Sequence, residues 1–502
     1  MSKAEKLLQK LLERVKIAAE FDYAASLLEW DQQTKMPSGG AEGRAEIFAA
    51  VKTEGFRLFT SEKTGEILKE LAGLEGKLDA RKEALVKRIS AIYKRSKTIP
   101  PDLFGAFNEA KSKAYNIWVE AREKSDFTLF QLSLEKIVEF QRQFAELYGY
   151  EKNPYDGLLP DYEPGLTTEQ LRRIVNHLRK ELVPFAHSLI EQPNKPDETL
   201  LQGHFPESSQ RQLCLQILKA IGYDFNKGRL DTTAHPFTTS VGPDDVRVTT
   251  HFVIDKFAPA LFATIHEGGH ALYSQGKDAL LKWLYLPRWY SLGIHESQSR
   301  MWENIVGRSL PFWKFFYPKL QSVFPHYRNI ALEDFYRAIN TVKLSPIRIY
   351  ADEVTYNLHI VLRFEIEEAL LRGEIEVKDL PELWNTKMQE YLGIVPENDA
   401  KGVLQDVHWS LGYFGYFPTY MLGNLYAAQL FAAAKREITN LEDEIAKGNL
   451  KVLLEWLRAK IHRFGLILEA PVLLKEVTGK GPTSEPWLDY IKEKFGKIYR
   501  VS

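Results

Sequence analysis

His266-Glu267-Gly268-Gly269-His270 is an H-E-x-x-H pentad lying in a stretch that reads as helix. Two histidines at i and i+4 stand one turn apart on one helical face, so both imidazoles can reach a single metal ion. The glutamate follows the first histidine directly and leans toward the same side, where it can deprotonate a water held there. Zinc suits two ring nitrogens plus one carboxylate oxygen, with a fourth position left for water. Gly268 and Gly269 each cost a helix interior on the order of 1 kcal/mol relative to Ala. Adjacent glycines there either relieve packing or let another backbone or a substrate come close to the metal face.

Such a site needs a third protein ligand. Glu296, within Gly293-Ile294-His295-Glu296-Ser297-Gln298, lies 26 residues after His270, at the start of a second helical stretch that can pack beside the first. A carboxylate from a second helix completes a zincin-type donor set. His295 is the rival ligand. In the alternative it supports the site or touches the substrate.

The composition sets bounds around this site. The chain has 502 residues, 44% of them hydrophobic, enough for a large buried core. Lys+Arg 66 against Asp+Glu 67 leaves a formal net charge of -1, with no basic excess to suggest nucleic acid or an anionic membrane. A single cysteine, Cys214, excludes an internal disulfide framework and a cysteine-rich zinc site. Charges at Lys3, Glu5, Lys6, Lys10, Glu13, Arg14 and Lys16 break any apolar leader, and no run reaches the roughly 18 apolar residues of a membrane span. The expectation is a soluble cytoplasmic protein.

Helical periodicity runs through residues 3–28, 41–59, 62–74, 76–97, 101–124 and 130–148, with breaks at Met36-Pro37-Ser38-Gly39-Gly40 and Ile99-Pro100-Pro101. A long loop covers 153–166, and Thr167-Thr168-Glu169-Gln170 then caps a helix over 168–190. The exception is 231–254. There Thr238, Thr239 and Val241, a Gly242-Pro243-Asp244-Asp245 turn, and Val246, Val248, Thr250, Phe252 and Ile254 read as a β-hairpin. The metal helix starts near Asp255–Pro259, with Pro259 in its first turn. A strand beside that helix offers a free edge to an extended peptide. Helical patterns resume over 297–308, 331–341, 348–371, 379–393, 420–437, 439–463 and 483–497. We therefore expect one mainly α domain over 1–502, cleft-shaped, with a small antiparallel sheet beside the active-site helix.

Further blocks surround the pentad. They are Leu28-Glu29-Trp30-Asp31-Gln32 with Met36-Pro37, His235-Pro236-Phe237, Asp245-Val246-Arg247-Val248-Thr249, His295-Glu296-Ser297-Gln298, Ile347-Arg348-Ile349-Tyr350-Ala351-Asp352 and Gly402-Val403-Leu404-Gln405-Asp406-Val407-His408-Trp409. In this order, over roughly residues 28–420, the set resembles the carboxypeptidase Taq family of thermostable zinc metallocarboxypeptidases. The resemblance implies a helical saddle with a deep groove, related to angiotensin-converting enzyme and neurolysin. It implies release of single C-terminal residues with broad specificity, poor action on C-terminal proline, and a homodimer. It also implies Zn²⁺ as the usual metal with Co²⁺ as a substitute, ligands at His266, His270 and Glu296, and a general base at Glu267.

A carboxypeptidase must read a free α-carboxylate, and an arginine fork does this best. Arg348 and Arg247 are the candidates. Each has a structural alternative: an i,i+4 pair of Arg348 with Asp352, and a pair of Arg247 with Asp244 or Asp245. His235 sits in a rigid turn before a proline, where it closes the end of the groove or simply packs. An oxyanion donor is also needed. His408, with Asp406 or Gln405 fixing its tautomer, and Tyr420, after the glycine- and aromatic-rich 412–418 loop, fit that need, with Tyr413 or Tyr416 as substitutes for the tyrosine. A groove open at both ends would suit an endopeptidase or dipeptidyl carboxypeptidase instead. A metal-stabilised scaffold that binds peptides without turnover is the remaining reading, and Glu267 argues against it.

Overall fold

The computed structural model describes residues 1–284 and 291–501. Its chain forms two compact units. One contains Met1–Lys97, Asp197–Ile339 and Leu430–Gly479; the other contains Thr98–Pro196, Asn340–Gln429 and Lys480–Ser502. Both are mainly helical. No helix among the described residues is long and apolar enough to cross a membrane.

The first unit opens on a helix, Lys3–Thr34, whose Ser2 and Glu5 make a reciprocal capping box. Leu7, Leu11, Val15 and Ala18 recur on one face of it and bury against Ile67, Leu68, Leu71, Leu85 and Ile89. Its far end carries Trp30, whose ring receives the Arg247 guanidinium 4.2 Å from its centroid. The N-terminal Leu28–Gln32 block thus serves the sheet: Arg44 ties it down through Asp31 at 2.7 Å, and Gln33 accepts a hydrogen bond from Thr233.

The sheet has three strands in the order β1-β3-β2. β2 (Thr238–Gly242) and β3 (Asp245–Thr250) form the expected hairpin, with Thr238 opposite Val248 and Ser240 opposite Val246. β1 (Leu230–Thr232) pairs with β3 in parallel. The sheet is therefore mixed, where an antiparallel one was expected. Three residues are too few to display a period of two, so the sequence gives β1 no signal. Val246 and Val248 point into the core and Arg247 to the other face. The metal helix, Ala258–Gln275, follows, with Pro259 in its first turn. Thr250 ties the end of β3 to this helix by donating to the Ala260 carbonyl at 3.0 Å.

In the second unit, helices Pro101–Lys124, Thr128–Tyr148, Thr168–Ile190, Leu380–Leu392 and Glu485–Tyr499 accompany Tyr356–Arg372. That last helix is buried on nearly every side, including the polar Asn357, His359, Arg363 and Glu367. It does not begin at Arg348 as its periodicity suggests. Arg348–Tyr350 is a single 3-10 turn, and Ala351 is extended. Asp352 then caps the next segment, accepting from the backbone N–H groups of Val354 and Thr355 and from the Thr355 hydroxyl. The Arg348–Asp352 pair raised as the structural alternative is thus absent, because the two residues are not one helical turn apart. The 439–463 stretch is likewise divided into Leu441–Ala446, Lys451–Leu457 and a π-helical turn, Arg458–His462.

Two buried histidines make the fold acid-sensitive. Burial depresses His408 and His462 to about 3, so both are neutral in the folded chain. The unfolded chain takes up these protons below about 6.5. The stability they contribute is complete above that pH and drains away as pH falls toward 3, by about 1.4 kcal/mol per pH unit for each histidine. Glu367, pushed up to about 7 by burial, works the other way between 7 and the ordinary carboxyl range. Urea unfolding of metal-free protein between pH 6 and 4 should show stability falling, and His462→Gln should flatten the fall by about one proton. An unchanged slope in that variant would mean that His462 is not a neutral buried base.

Candidate metal centre and active site

His266 and His270 project from one face of the metal helix, and Glu296 from the neighbouring helix, Leu292–Arg300. One donor atom from each lies within 4.8 Å of the other two. His270 Nε2 is 3.3 Å and His266 Nε2 is 3.7 Å from Glu296 Oε2. The glycines explain how the two helices come so close. A Cβ on Gly269 would lie 2.6 Å from the Gln298 carbonyl oxygen and 2.7 Å from the Ser299 Cα, so only glycine admits this backbone approach. Gly268 instead faces the Leu218 and Ile221 side chains. The first glycine relieves packing and the second brings the backbones together.

Hydrogen bonds assign the free lone pairs. His266 Nδ1 lies 2.9 Å from Glu303 Oε2. Burial opposes ionisation of Glu303, but this contact together with Arg300 and Arg308 holds its carboxyl down at about 2, so it can only accept. The His266 proton therefore sits on Nδ1, and Nε2 is left as a ligand. Arg300 Nε donates to Glu296 Oε1 at 2.7 Å, which leaves Oε2 facing the histidines. Burial raises the Glu296 carboxyl while Arg300 and the two histidines pull it well below the ordinary range, so it is ionised. The Nε2 atoms of two imidazoles and one carboxylate oxygen form a donor set that fits a divalent metal ion. Glu303 reaches His266 from a π-helical turn, Met301–Val306, marked by the Gly307 N–H bonding to the Trp302 carbonyl at 2.8 Å. Such turns re-aim side chains at functional sites.

Glu267 is buried beside the donor set, and the Thr238 hydroxyl of β2 lies 2.7 Å from its Oε2 and 2.8 Å from its carbonyl oxygen. His295 stacks on His270 with ring centroids 4.2 Å apart, and Tyr273 packs edge-on against it. His295 thus lies behind the His270 ring and outside the three-ligand cluster. His235 is exposed in the turn between β1 and β2. Arg247 is held by Asp245 at 2.7 Å and by the Trp30 ring, so the Asp245 pair raised by the sequence is present.

The remaining candidates belong to the second unit. Arg348 Nε and Nη2 donate to Asp406 Oδ1 at 3.0 and 2.8 Å, and Nη1 to the Tyr356 hydroxyl at 2.9 Å. Arg363, fully buried, donates from Nε to Asp406 Oδ2 at 2.7 Å and from Nη2 to Gln405 Oε1 at 2.8 Å. The same Gln405 oxygen accepts the Arg348 backbone N–H. Gln405 and Asp406 therefore organise two arginines. They do not fix the His408 tautomer, since Asp406 Oδ1 lies 3.9 Å from His408 Nδ1, beyond hydrogen-bond reach. His408 Nε2 lies 3.3 Å from the Tyr420 hydroxyl, and Phe417 and Tyr416 pack against its ring.

The sequence reading missed Thr238, Arg300, Glu303 and Arg363. Arg300 and Glu303 follow Glu296 by four and seven residues, a helical spacing that was there to be read. Thr238 and Arg363 depend on long-range packing and carried no local signal. We expect Glu303→Gln to weaken zinc binding about 10- to 100-fold, because it removes the charge that orients the His266 proton. Competition with a chromophoric chelator measures this, and an unchanged affinity would show that Glu303 only packs.

The whole chain has relatives. Residues 10–495 match the family described as carboxypeptidase Taq (M32) metallopeptidase. Carboxypeptidase 1 of Bacillus subtilis is 40% identical over 496 residues, covering 99% of this chain and 98% of that protein. Thermostable carboxypeptidase 1 of Thermus thermophilus is 40% identical over 511 residues, with 98% of each covered. The crystal structure of an M32 carboxypeptidase from Deinococcus radiodurans superposes with a TM-score of 0.96 at 35% identity, covering 99% of this chain and 100% of that one. With its His-His-Glu cluster in place, the chain belongs to the carboxypeptidase Taq (M32) metallopeptidase family and is a metallocarboxypeptidase acting on peptides.

Proposed function

We propose that the enzyme releases single residues from the free C-terminus of peptides, with broad side-chain tolerance and poor action on C-terminal proline. Zinc is its usual metal and cobalt a substitute. The observation that carries this reading is the His266, His270 and Glu296 donor set with Glu267 beside it. When bound there, the ion polarises the scissile carbonyl and lowers the pKa of water. Glu267 takes the proton of the attacking water and passes it to the leaving amine, while Thr238 holds its carboxylate in place. An extended substrate pairs with the edge of β2, which among the described strands has a neighbour on one side only.

His408 and Tyr420 supply donors to the oxyanion. Support comes from the contact between them and from burial that keeps His408 neutral, with one N–H to give. Arg348 reads the substrate carboxylate. Support comes from its buried guanidinium, held in place by Asp406 and the Tyr356 hydroxyl, since an arginine fork suits a carboxylate best. Arg247 and His235 assist in reading that carboxylate, and His295 braces His270. The chain is a single metallocarboxypeptidase domain over 1–502, a reading supported by the family match over residues 10–495. A cytoplasmic homodimer accords with the family resemblance and the single cysteine.

The test is an N-blocked peptide with a free C-terminus, followed by mass. Successive loss of single C-terminal residues is expected. Internal fragments or released dipeptides would overturn the exopeptidase reading, and the same peptide ending in proline should stall.

A further inference from the structure

We propose that Glu367 is a positioning residue for the His408–Tyr420 pair, acting by clamping the 409–415 turn that lies between them. The proposal rests on the oxyanion role given to that pair above.

Glu367 is fully buried in the Tyr356–Arg372 helix. Its Oε1 accepts the Trp409 indole N–H at 3.0 Å. Its Oε2 accepts the Gly415 backbone N–H at 3.0 Å and the Tyr155 hydroxyl at 2.8 Å. One carboxylate thus holds the side chain next to His408 and the backbone just before Tyr416. Between these points the chain reverses through Gly412 and Gly415, at φ 70 and 92, conformations that favour glycine. The Tyr413 N–H closes the turn on the His408 carbonyl at 2.9 Å. Tyr416 and Phe417 then return their rings to within 5.5 and 4.4 Å of the His408 ring, and Tyr416 reaches Tyr420 at 5.2 Å.

A buried carboxylate is costly, and its three hydrogen-bond donors here are all neutral. Burial pushes its carboxyl up to about 7 against those donors. Two of the three bonds go to the one turn that sets where His408 and Tyr420 sit. A residue retained only to fill space would be better replaced by an apolar one. Three donors converging on two oxygens are what a carboxylate satisfies and an amide does not.

That difference supplies the experiment, run at pH 8 on metal-loaded enzyme. In Glu367→Gln the amide NH₂ must face either the Trp409 N–H or the Tyr155 and Gly415 donors. We expect kcat to fall about tenfold with little change in KM and metal content, as for other small displacements of a catalytic group. Hydrogen exchange across 412–417 should rise. Adding Trp409→Phe removes the donor conflict and should restore much of kcat and of the exchange protection. Tyr155→Phe removes a bond to the same carboxylate but none to the turn, so it should lower Tm and leave kcat near normal. If Glu367→Gln does not fold, the comparison of Trp409→Phe with Tyr155→Phe carries the test, and equal kcat at similar Tm overturns the proposal. A Glu367→Gln enzyme that loses Tm but keeps kcat also overturns it. His408→Gln and Tyr420→Phe are measured alongside. If neither changes kcat, the oxyanion reading fails and takes this proposal with it. If both do and Glu367→Gln does not, only the role of Glu367 is lost.

Discussion

Glu267→Gln should keep its metal and lose nearly all turnover. Glutamine has the shape of glutamate, and the Thr238 hydroxyl can still donate to its oxygen. The three ligand atoms are untouched, so zinc content by mass spectrometry should stay at one per chain. What disappears is a group that can take a proton and return it. Activation of water and protonation of the leaving amine both run through this residue, so the loss should amount to several kcal/mol in kcat. A variant that kept more than about a tenth of wild-type kcat, a difference of only ~1.4 kcal/mol, would exclude Glu267 as the base.

The metal face was legible because its determinants are local. An i,i+4 pair on a helix, with a carboxylate between, states its geometry in five letters. Gly269 could be read as admitting another backbone, but which one could not, since it is that of Gln298 and Ser299, 29 and 30 residues away. Glu303 and Arg300 sat at readable spacings from Glu296, yet Glu303 lies within a π turn, and no periodicity announces one. The helix boundaries show the same division. Ala41–Phe59 and Pro101–Lys124 start at the Pro- and Gly-bearing breaks of 36–40 and 99–101, as the sequence implied. Tyr356–Arg372 starts late because Asp352 bonds to the backbone ahead of it, and a side chain competing for N–H groups leaves the hydrophobic pattern unchanged.

Arg348 is where sequence proximity misled most. Asp352 stands four residues on, and the pairing rule for helices offered it as the structural alternative to substrate binding. The true partner, Asp406, is 58 residues away, on the block that also carries His408. The difference matters for function. A pair with Asp352 would have consumed the charge of Arg348 on its own segment. In the observed cluster Arg348 and Arg363 meet on the Asp406 carboxylate, in the block that also carries His408.

From the carboxylate-reading role proposed for Arg348 follows the second large effect. Arg348→Ala should reduce kcat/KM on free-acid peptides by roughly 2–5 kcal/mol, about 30- to 5,000-fold, as for truncation of one partner in a desolvated, hydrogen-bonded charge pair. C-amidated analogues lack the charge, should already be poor substrates, and should lose far less. Stability will fall as well, because Asp406 and the Tyr356 hydroxyl each lose a partner, so Tm alone cannot decide the role of Arg348. The ratio of the two substrates can. A scaffold role disturbs the site for every peptide alike, whereas a carboxylate-reading role is confined to peptides that end in one. Arg348→Lys sharpens the contrast: it restores a charge but not the planar fork, so it should recover only part of the preference for free acids. If acid and amide suffer equally in both variants, Arg348 serves only to hold Asp406 and Arg363, and Arg247 becomes the residue to test by the same comparison.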